Sequence, residues 1–320
     1  MIERWIPVLA MAAAATGASA QDFPSRAVKI VVPWPPSGNV DITARTVAPA
    51  LSEALGAQVL VENLSGAGGR IGTAAVAKAS ADGYTLLLGS SGTITSGPAV
   101  FKSISYDPLK DFVAIGPIQS VPIVLTAAPK TPVSNYKEFA ALANAKPGQV
   151  SIASAGSGSS NHLAIELLMR QANLKLLHIP YKGSGPAIVD LLGSQVESMM
   201  DQLTATIEHI RGGRLKALAV SSKTRSPLLP DVPTLDELGV KGYEASTFTG
   251  IFAPAAVPAS AADKLYAALR RALSNETVRE RYRSMGVDVM DMSRAEFAAY
   301  VRADFEKWRT IAREGNIVVE

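Results

Sequence analysis

Serines, more than charged side chains, carry the chemistry this sequence offers. The run Ser154-Ala155-Gly156-Ser157-Gly158-Ser159-Ser160-Asn161-His162 follows an apolar stretch at residues 150–153 and opens a helical pattern marked by Leu163, Ile165, Leu167, Leu168 and Met169. A strand that ends in small hydroxylated residues at a helix start aims unpaired backbone N–H groups at one point, which suits an anion. Ser159 or Ser160 beside His162 admits a different chemistry, nucleophilic attack assisted by an imidazole base. Residues 30–45, IVVPWPPSGNVDITAR, contain the first device again. Ile30, Val31 and Val32 read as a buried strand, and Pro33-Trp34-Pro35-Pro36 ends it because prolines have no N–H for a ladder. Ser37 and Gly38 free the backbone, and Asn39 or Asp41 caps a helix with Ala44, Val47, Ala48 and Leu51 on one face.

Three further places attract attention. Gly89-Ser90-Ser91-Gly92-Thr93 ends a strand at 84–88 and offers hydroxyls and accessible N–H groups to a ligand. Gly66-Ala67-Gly68-Gly69 reads as a tight turn or as an anion cradle. Asp201 ends a strand at 196–200; it holds an ordered water, a ligand hydroxyl or an amine, or it caps the next helix, but it does not attract a carboxylate directly. Other chemistries lack their residues. No G-x-S-x-G elbow or H-E-x-x-H helix occurs, and the three histidines, His162, His178 and His209, form no sequence cluster. Gly156 to Asn161 nearly spells a dinucleotide fingerprint, but Asn161 replaces its third glycine and no acid follows at the ribose position. With no cysteine, disulfides, thiolate metal sites and a lipoprotein anchor are excluded.

The elements that must hold these loops alternate strand and helix. A small-residue helix is expected over 70–81, and two adjacent strands at 113–118 and 121–127 carry the chain from one lobe to the other. Ser134 is read as the cap of a helix ending at Lys146-Pro147-Gly148. The Ser- and Pro-rich residues 223–233 are read as the return crossing. A strand at 245–252 and helices at 260–273, 276–285 and 293–314 complete the chain, the last with the capping box Ser293-Arg294-Ala295-Glu296. On that helix Phe297, Tyr300, Val301, Phe305 and Trp308 mark a core face. Pro49 is a misfit that should kink the first helix.

Composition sets the class. About 300 residues after the leader exceed one core, so two α/β lobes are expected. The net charge of +3 is scattered, which argues against a nucleic-acid footprint. Arg4, an apolar run from Trp5 to Ala15 and Ala18-Ser19-Ala20 read as an export leader cleaved after Ala20, and no stretch is long enough to span a bilayer. The expected organisation is a leader at 1–20, a first lobe at 21–124, a second lobe at 125–224 and a return to the first at 225–320.

Several phrases together carry a resemblance. They are Pro33-Trp34-Pro35-Pro36-Ser37-Gly38-Asn39-Val40-Asp41; Val61-Glu62-Asn63 with Gly66-Ala67-Gly68-Gly69; Ala81-Asp82-Gly83-Tyr84-Thr85-Leu86-Leu87; Tyr106-Asp107-Pro108 with Asp111-Phe112; His178-Ile179-Pro180-Tyr181-Lys182-Gly183; and Leu229-Pro230-Asp231-Val232-Pro233-Thr234. In this order they resemble the Bug-type, TctC-like solute receptors of tripartite tricarboxylate transporters. One departure is Ser37, where that family usually has glycine. The resemblance implies a two-lobed periplasmic-binding-protein architecture (type II-like) that holds a small carboxylated molecule in the cleft between its lobes. It implies a monomer in the periplasm that delivers its ligand to membrane components, with no catalytic residue, cofactor or metal. It places Trp34, Ser37, Gly38, Asp41, Ser90 and Ser91 in the first lobe's share of the site, and Ser154, Ser157, Ser159, Ser160 and Asp201 in the second lobe's. An exported serine hydrolase and a receptor that signals instead of feeding a transporter are the competing readings.

Overall fold

The computed structural model describes residues 23–315 and 317–319; the expected leader and its cleavage site lie outside them. Alternating apolar runs and small-residue loops build the first sheet. Its opening elements are β1 (Val28–Val32), α1 (Asn39–Leu55), β2 (Val59–Asn63), α2 (Arg70–Ala77) and β3 (Thr85–Ser90), the last running into a π-helical turn, Ser91–Thr95. Next, β4 (Phe112–Val121) leads into β5 (Ile123–Ala127), and the single residue between them, Pro122, has no N–H to keep one ladder going. The second sheet adds α3 (Tyr136–Ala145), β6 (Ser151–Ser154), α4 (Ser160–Gln171), β7 (Leu177–Pro180), α5 (Ser184–Leu192), β8 (Ser198–Gln202), α6 (Leu203–Arg211) and β9 (Lys216–Val220). The chain then returns through β10 (Thr247–Pro254), α7 (Ala259–Ser274), α8 (Glu276–Ser284), β11 (Asp288–Val289) and α9 (Arg294–Gly315).

Each lobe is one mixed sheet faced by helices. The first runs β11-β4-β10-β3-β1-β2 and the second β7-β6-β8-β5-β9. In the first, β1 lies parallel to β2 and β3; in the second, β6 lies parallel to β7 and β8. Parallel pairing puts the C-terminal ends of these strands, and the helix starts that follow them, at one edge of each sheet. Those edges face each other.

The two crossings lie side by side. The Ile123 N–H donates to Ser221 Oγ at 2.8 Å, and the Ala245 N–H donates to the Ser221 carbonyl at 3.2 Å. Ser221 thus ties the segment entering the second sheet at Ile123 to the segment at Ala245 that leads back into the first. Thr234 still bridges to Val220 of the second sheet, and Leu235, Val240 and Tyr243 pack into the core around Phe139 and Leu167. Serine and proline marked turns there, but burial of those side chains holds the segment to the second lobe. Helix α9 also serves both lobes: Phe297 and Val301 pack with Phe248 and Phe252, whereas Trp308 and Ala312 join the core around Phe139.

Local signals fare as follows. The Ser293–Glu296 box forms, with Ser293 N–H on Glu296 Oε2 at 2.8 Å and Glu296 N–H on Ser293 Oγ at 3.2 Å. Asn135, not Ser134, caps α3, accepting from the Glu138 N–H at 3.0 Å. Helix α1 runs through Pro49 because that residue sits on the exposed face, where water can reach the carbonyl deprived of its donor.

Candidate functional site

The proline-rich loop after β1 is fixed from behind by Asp41. Its Oδ2 accepts from the Ser37 N–H at 3.0 Å, and its Oδ1 accepts from Asn63 Nδ2 at 2.9 Å and Arg45 Nε at 3.0 Å. Asn63 Nδ2 also donates to the Trp34 carbonyl at 3.0 Å. Burial works against the Asp41 charge, but Arg45 and the Ser37 and Asn63 donors outweigh it and hold the pKa below the usual value. Ser37 sits at φ 70°, the left-handed region that glycine enters without strain. This conformation explains why glycine suits the position, and the Asp41 bond to its N–H stabilises serine there. Trp34 is steered by its indole Nε1, which donates to Ser90 Oγ at 3.3 Å.

Across the cleft, two helix starts of the second lobe point back. Ser159 caps α4 by accepting from the His162 N–H at 3.2 Å, and Gly183 stands at the cap position of α5. Gly38 holds the corresponding position on α1. The first-turn N–H groups of a helix have no intrahelical acceptor, so three helices present donors to one space. The lobes are shut around it: a methyl group added to Gly38 would lie 3.8 Å from Ser184 Cβ, and one added to Gly92 would lie 3.3 Å from the Ser160 nitrogen.

The cavity between the lobes measures only about 30 Å³ in this shut form. Trp34, Pro35, Val40, Ala155 and Phe248 supply apolar walls; Gly38, Asn39, Ser90, Ser159, Ser160, Asn161, Gly183, Ser184, Gln202 and Thr247 supply the polar ones. No charged side chain is among them. Behind Asn161, Ser184 and Gln202 lies Asp201, fully buried, whose Oδ1 accepts from Asn161 Nδ2 at 2.5 Å, Ser184 Oγ at 3.0 Å and the Gln202 N–H at 2.9 Å. Burial pushes Asp201 up to about 6, against the lowering effect of those three donors.

A family model described as "Tripartite tricarboxylate transporter family receptor" (TctC) matches residues 43–317. The chain belongs to this family. The periplasmic binding protein BugD superposes with a TM-score of 0.90 at 37% identity, covering 93% of this chain and 100% of that one. A Rhodopseudomonas palustris protein solved with adipate gives a TM-score of 0.89 at 31% identity over 93% of this chain and 99% of its own. MatC from Rhodopseudomonas palustris, with bound malate, gives 0.86 at 33% over 90% and 99%. This TctC-family receptor therefore has the two-lobed periplasmic-binding-protein fold.

Within the receptor, Trp34, Gly38, Ser90, Ser159 and Ser160 line the cavity. The other residues named from the sequence lie elsewhere. Ser37 and Asp41 face an outer hollow beside α8. Ser91 Oγ accepts from the Phe248 N–H at 2.9 Å and ties β10 to the π turn. Ser157 lines a neighbouring hollow with Arg70 and Lys182. Ser154 is buried and its Oγ lies 2.7 Å from His178 Nε2. Asp201 stands one layer behind the wall. Asn39, Asn161, Gly183, Ser184, Gln202, Thr247 and Phe248 were not foreseen as site residues; a serine or glycine at the start of α5 was the one available signal, for Gly183 and Ser184.

The hydrolase pairing is not assembled. His162 Nδ1 accepts from the Gly158 N–H at 3.1 Å, and its Nε2 faces Glu166 Oε1 at 3.3 Å, so neither ring nitrogen addresses Ser159 or Ser160. The imidazole stacks on His178 at 4.2 Å between ring centroids. Burial and the neighbouring His162 hold the His178 pKa down at about 4, with Glu166 opposing. Among the described residues no group of His, Asp and Glu is placed to hold a metal ion.

Proposed function

We propose that this receptor captures a small carboxylate in the interlobe cavity and delivers it to the membrane components of a tripartite transporter. The observation that carries the reading is the convergence of three helix starts, at Gly38, Ser159 and Gly183, on a cavity without charged side chains. Each helix end favours an anion by about 0.3–2 kcal/mol, so several together bind one without a cation. The carboxylates bound by MatC and by the adipate-bound relative support the ligand class. Trp34, Gly38, Ser90, Ser159 and Ser160, all expected from the sequence, are the contacts we assign to the ligand, joined by Asn39, Asn161, Ser184 and Gln202. Asp41, Ser91, Ser154 and Asp201 act by holding those contacts in place.

The same reading has the chain exported, with its leader cut after Ala20, and working as a monomer without enzymatic turnover; the periplasmic character of BugD supports the location. We draw the lobes at Pro122 and at residues 245–247, where the chain crosses. The test is a thermal-shift screen of the mature chain against mono-, di- and tricarboxylates and their amides, with ester hydrolysis followed in parallel. A ligand at a hundred times its Kd stabilises by about 2.7 kcal/mol. Stabilisation by acids and not by their amides, without turnover, is expected. Stabilisation by the amides alone, or ester turnover lost in His162→Ala, overturns the reading.

A further inference from the structure

We infer that the cleft selects carboxylates that also bear a hydrogen-bond donor, a hydroxyl or ammonium group, close to the carboxylate, and that Asn161, Ser184 and Gln202, aligned by Asp201, form the wall that reads it. The inference rests on the carboxylate-receptor reading above.

The donor directions on this wall are determined one after another. The Met200 carbonyl only accepts, so the Asn161 amide meeting it at 3.0 Å presents Nδ2. The second hydrogen of that Nδ2 goes to Asp201 Oδ1. Asn161 Oδ1 is left facing Gln202, which must meet it with Nε2, and does so at 2.9 Å. The other Nε2 hydrogen goes to Ser160 Oγ at 3.3 Å. Both Gln202 donors are then engaged, while its Oε1 has no protein partner among the described residues and its side chain lines the cavity. Ser184 gives its hydroxyl hydrogen to Asp201 Oδ1, leaving lone pairs for the cavity. Asn161 Oδ1 also accepts from Ser160 Oγ at 3.4 Å, so the acceptors this wall leaves for the cavity are Gln202 Oε1 and Ser184 Oγ, although the backbone N–H groups beside them offer donors.

Asp201 is the cause of that polarity. It is fully buried, has no ion-pair partner among the described residues, and its Oδ2 is buried without a hydrogen bond. A buried carboxylate without a cation is costly to keep. What it does here is draw the donors of Asn161, Ser184 and the Gln202 main chain inward. A ligand carboxylate is repelled by the oxygens left outward and drawn to the helix N–H groups. A hydroxyl or ammonium on a neighbouring carbon fills the oxygens, and the carbon chain lies against Trp34, Val40 and Phe248.

The test is calorimetry of the mature chain with matched series: succinate, malate and aspartate; propionate, lactate and alanine. We expect a donor-bearing member of a series to bind about ten-fold or more tightly than its unsubstituted parent, because the parent leaves Gln202 Oε1 desolvated and unpaired. In Gln202→Met, and independently in Ser184→Ala, that ratio should fall toward one. A purely structural loss would weaken both ligands alike and leave the ratio unchanged. Unsubstituted acids binding as tightly as their substituted partners, or a ratio unmoved in both variants, overturns the inference while the receptor reading stands. Binding by no carboxylate overturns both.

Discussion

Replacing Gly183 with alanine separates two effects that the shut cleft superimposes. Gly183 has φ 117° and ψ 170°, a region essentially reserved for glycine. Forcing alanine into it costs about 1–3 kcal/mol, offset by about 0.4–1 kcal/mol from the less flexible unfolded chain. That difference is local and should lower the stability of the ligand-free protein. The second effect needs both lobes. The new Cβ would lie 2.7 Å from Pro35 Cγ and 2.9 Å from Pro35 Cδ, across the cleft. Pro35 sits between Trp34 and Pro36 in a stiff loop and cannot rotate aside, so the lobes must part. Overpacking of this kind costs about 1–3 kcal/mol, which is about 5- to 150-fold in Kd. Gly38→Ala is the control: φ is −85°, and its Cβ would meet Ser184 Cβ at 3.8 Å, an ordinary contact. Thermal melting without ligand reads the first effect and calorimetry reads the second. Gly183→Ala should lose both stability and affinity, and Gly38→Ala should keep its affinity within about three-fold. A Gly183→Ala protein that melts lower but binds like the parent would show that Pro35 and Gly183 do not meet in the liganded state.

Ser159→Ala and Ser160→Ala should each weaken carboxylate binding by about 0.5–1.5 kcal/mol. Only Ser159→Ala should also lower ligand-free stability, by about 1 kcal/mol, because its Oγ caps α4; equal melting of the two variants would argue against that assignment. Trp34→Phe should remove most of the ligand-induced tryptophan fluorescence change under saturating ligand, and a signal kept whole would move the reporter elsewhere. For Asp201, the native pKa of about 6 lies above the unfolded 3.8, so its contribution to stability is complete below about pH 4 and is lost as pH rises through 6. His178, held at about 4 against 6.5, contributes in the opposite sense, its part being lost as pH falls from 6.5 toward 4. Asp201→Asn removes only the first, so the stability difference between variant and parent should climb between about pH 4 and 6 and be level on either side; a level difference throughout would mean that Asp201 does not titrate there.

What the sequence made legible was local. Prolines end β1, an apolar stripe marks α1, and Ser159 stands where a cap must, so both strand–loop–helix units and three of the polar residues that line the cavity, Ser90, Ser159 and Ser160, could be found. Asn161, Ser184 and Gln202 reach the cavity because β6 lies beside β8 and α5 packs over both, a relation set by sheet order and not by spacing. The histidines show the same limit. Proximity in the chain suggested Ser159 or Ser160 with His162, but the parallel register of β6 and β7 sets Ile152 opposite His178 and brings Ser154 to its imidazole instead. Thr247 and Phe248 arrive on β10, which rejoins the first sheet only after the second has been built, a return that no local pattern announces.

Placing the donors on different lobes has a consequence for release. The α1 start belongs to the first sheet, and the α4 and α5 starts belong to the second, so only the shut form presents all three to one anion. A single cation such as arginine would keep much of its attraction after opening, because it acts alone and at longer range. Helix-end donors are weak singly and fade within about one turn, so on the proposed reading parting the lobes dissolves most of the affinity at once. With the lobes drawn as proposed, Pro122 and residues 245–247 are where such a hinge would bend, while α9, packed into both cores through Phe297 and Trp308, would set how far it opens.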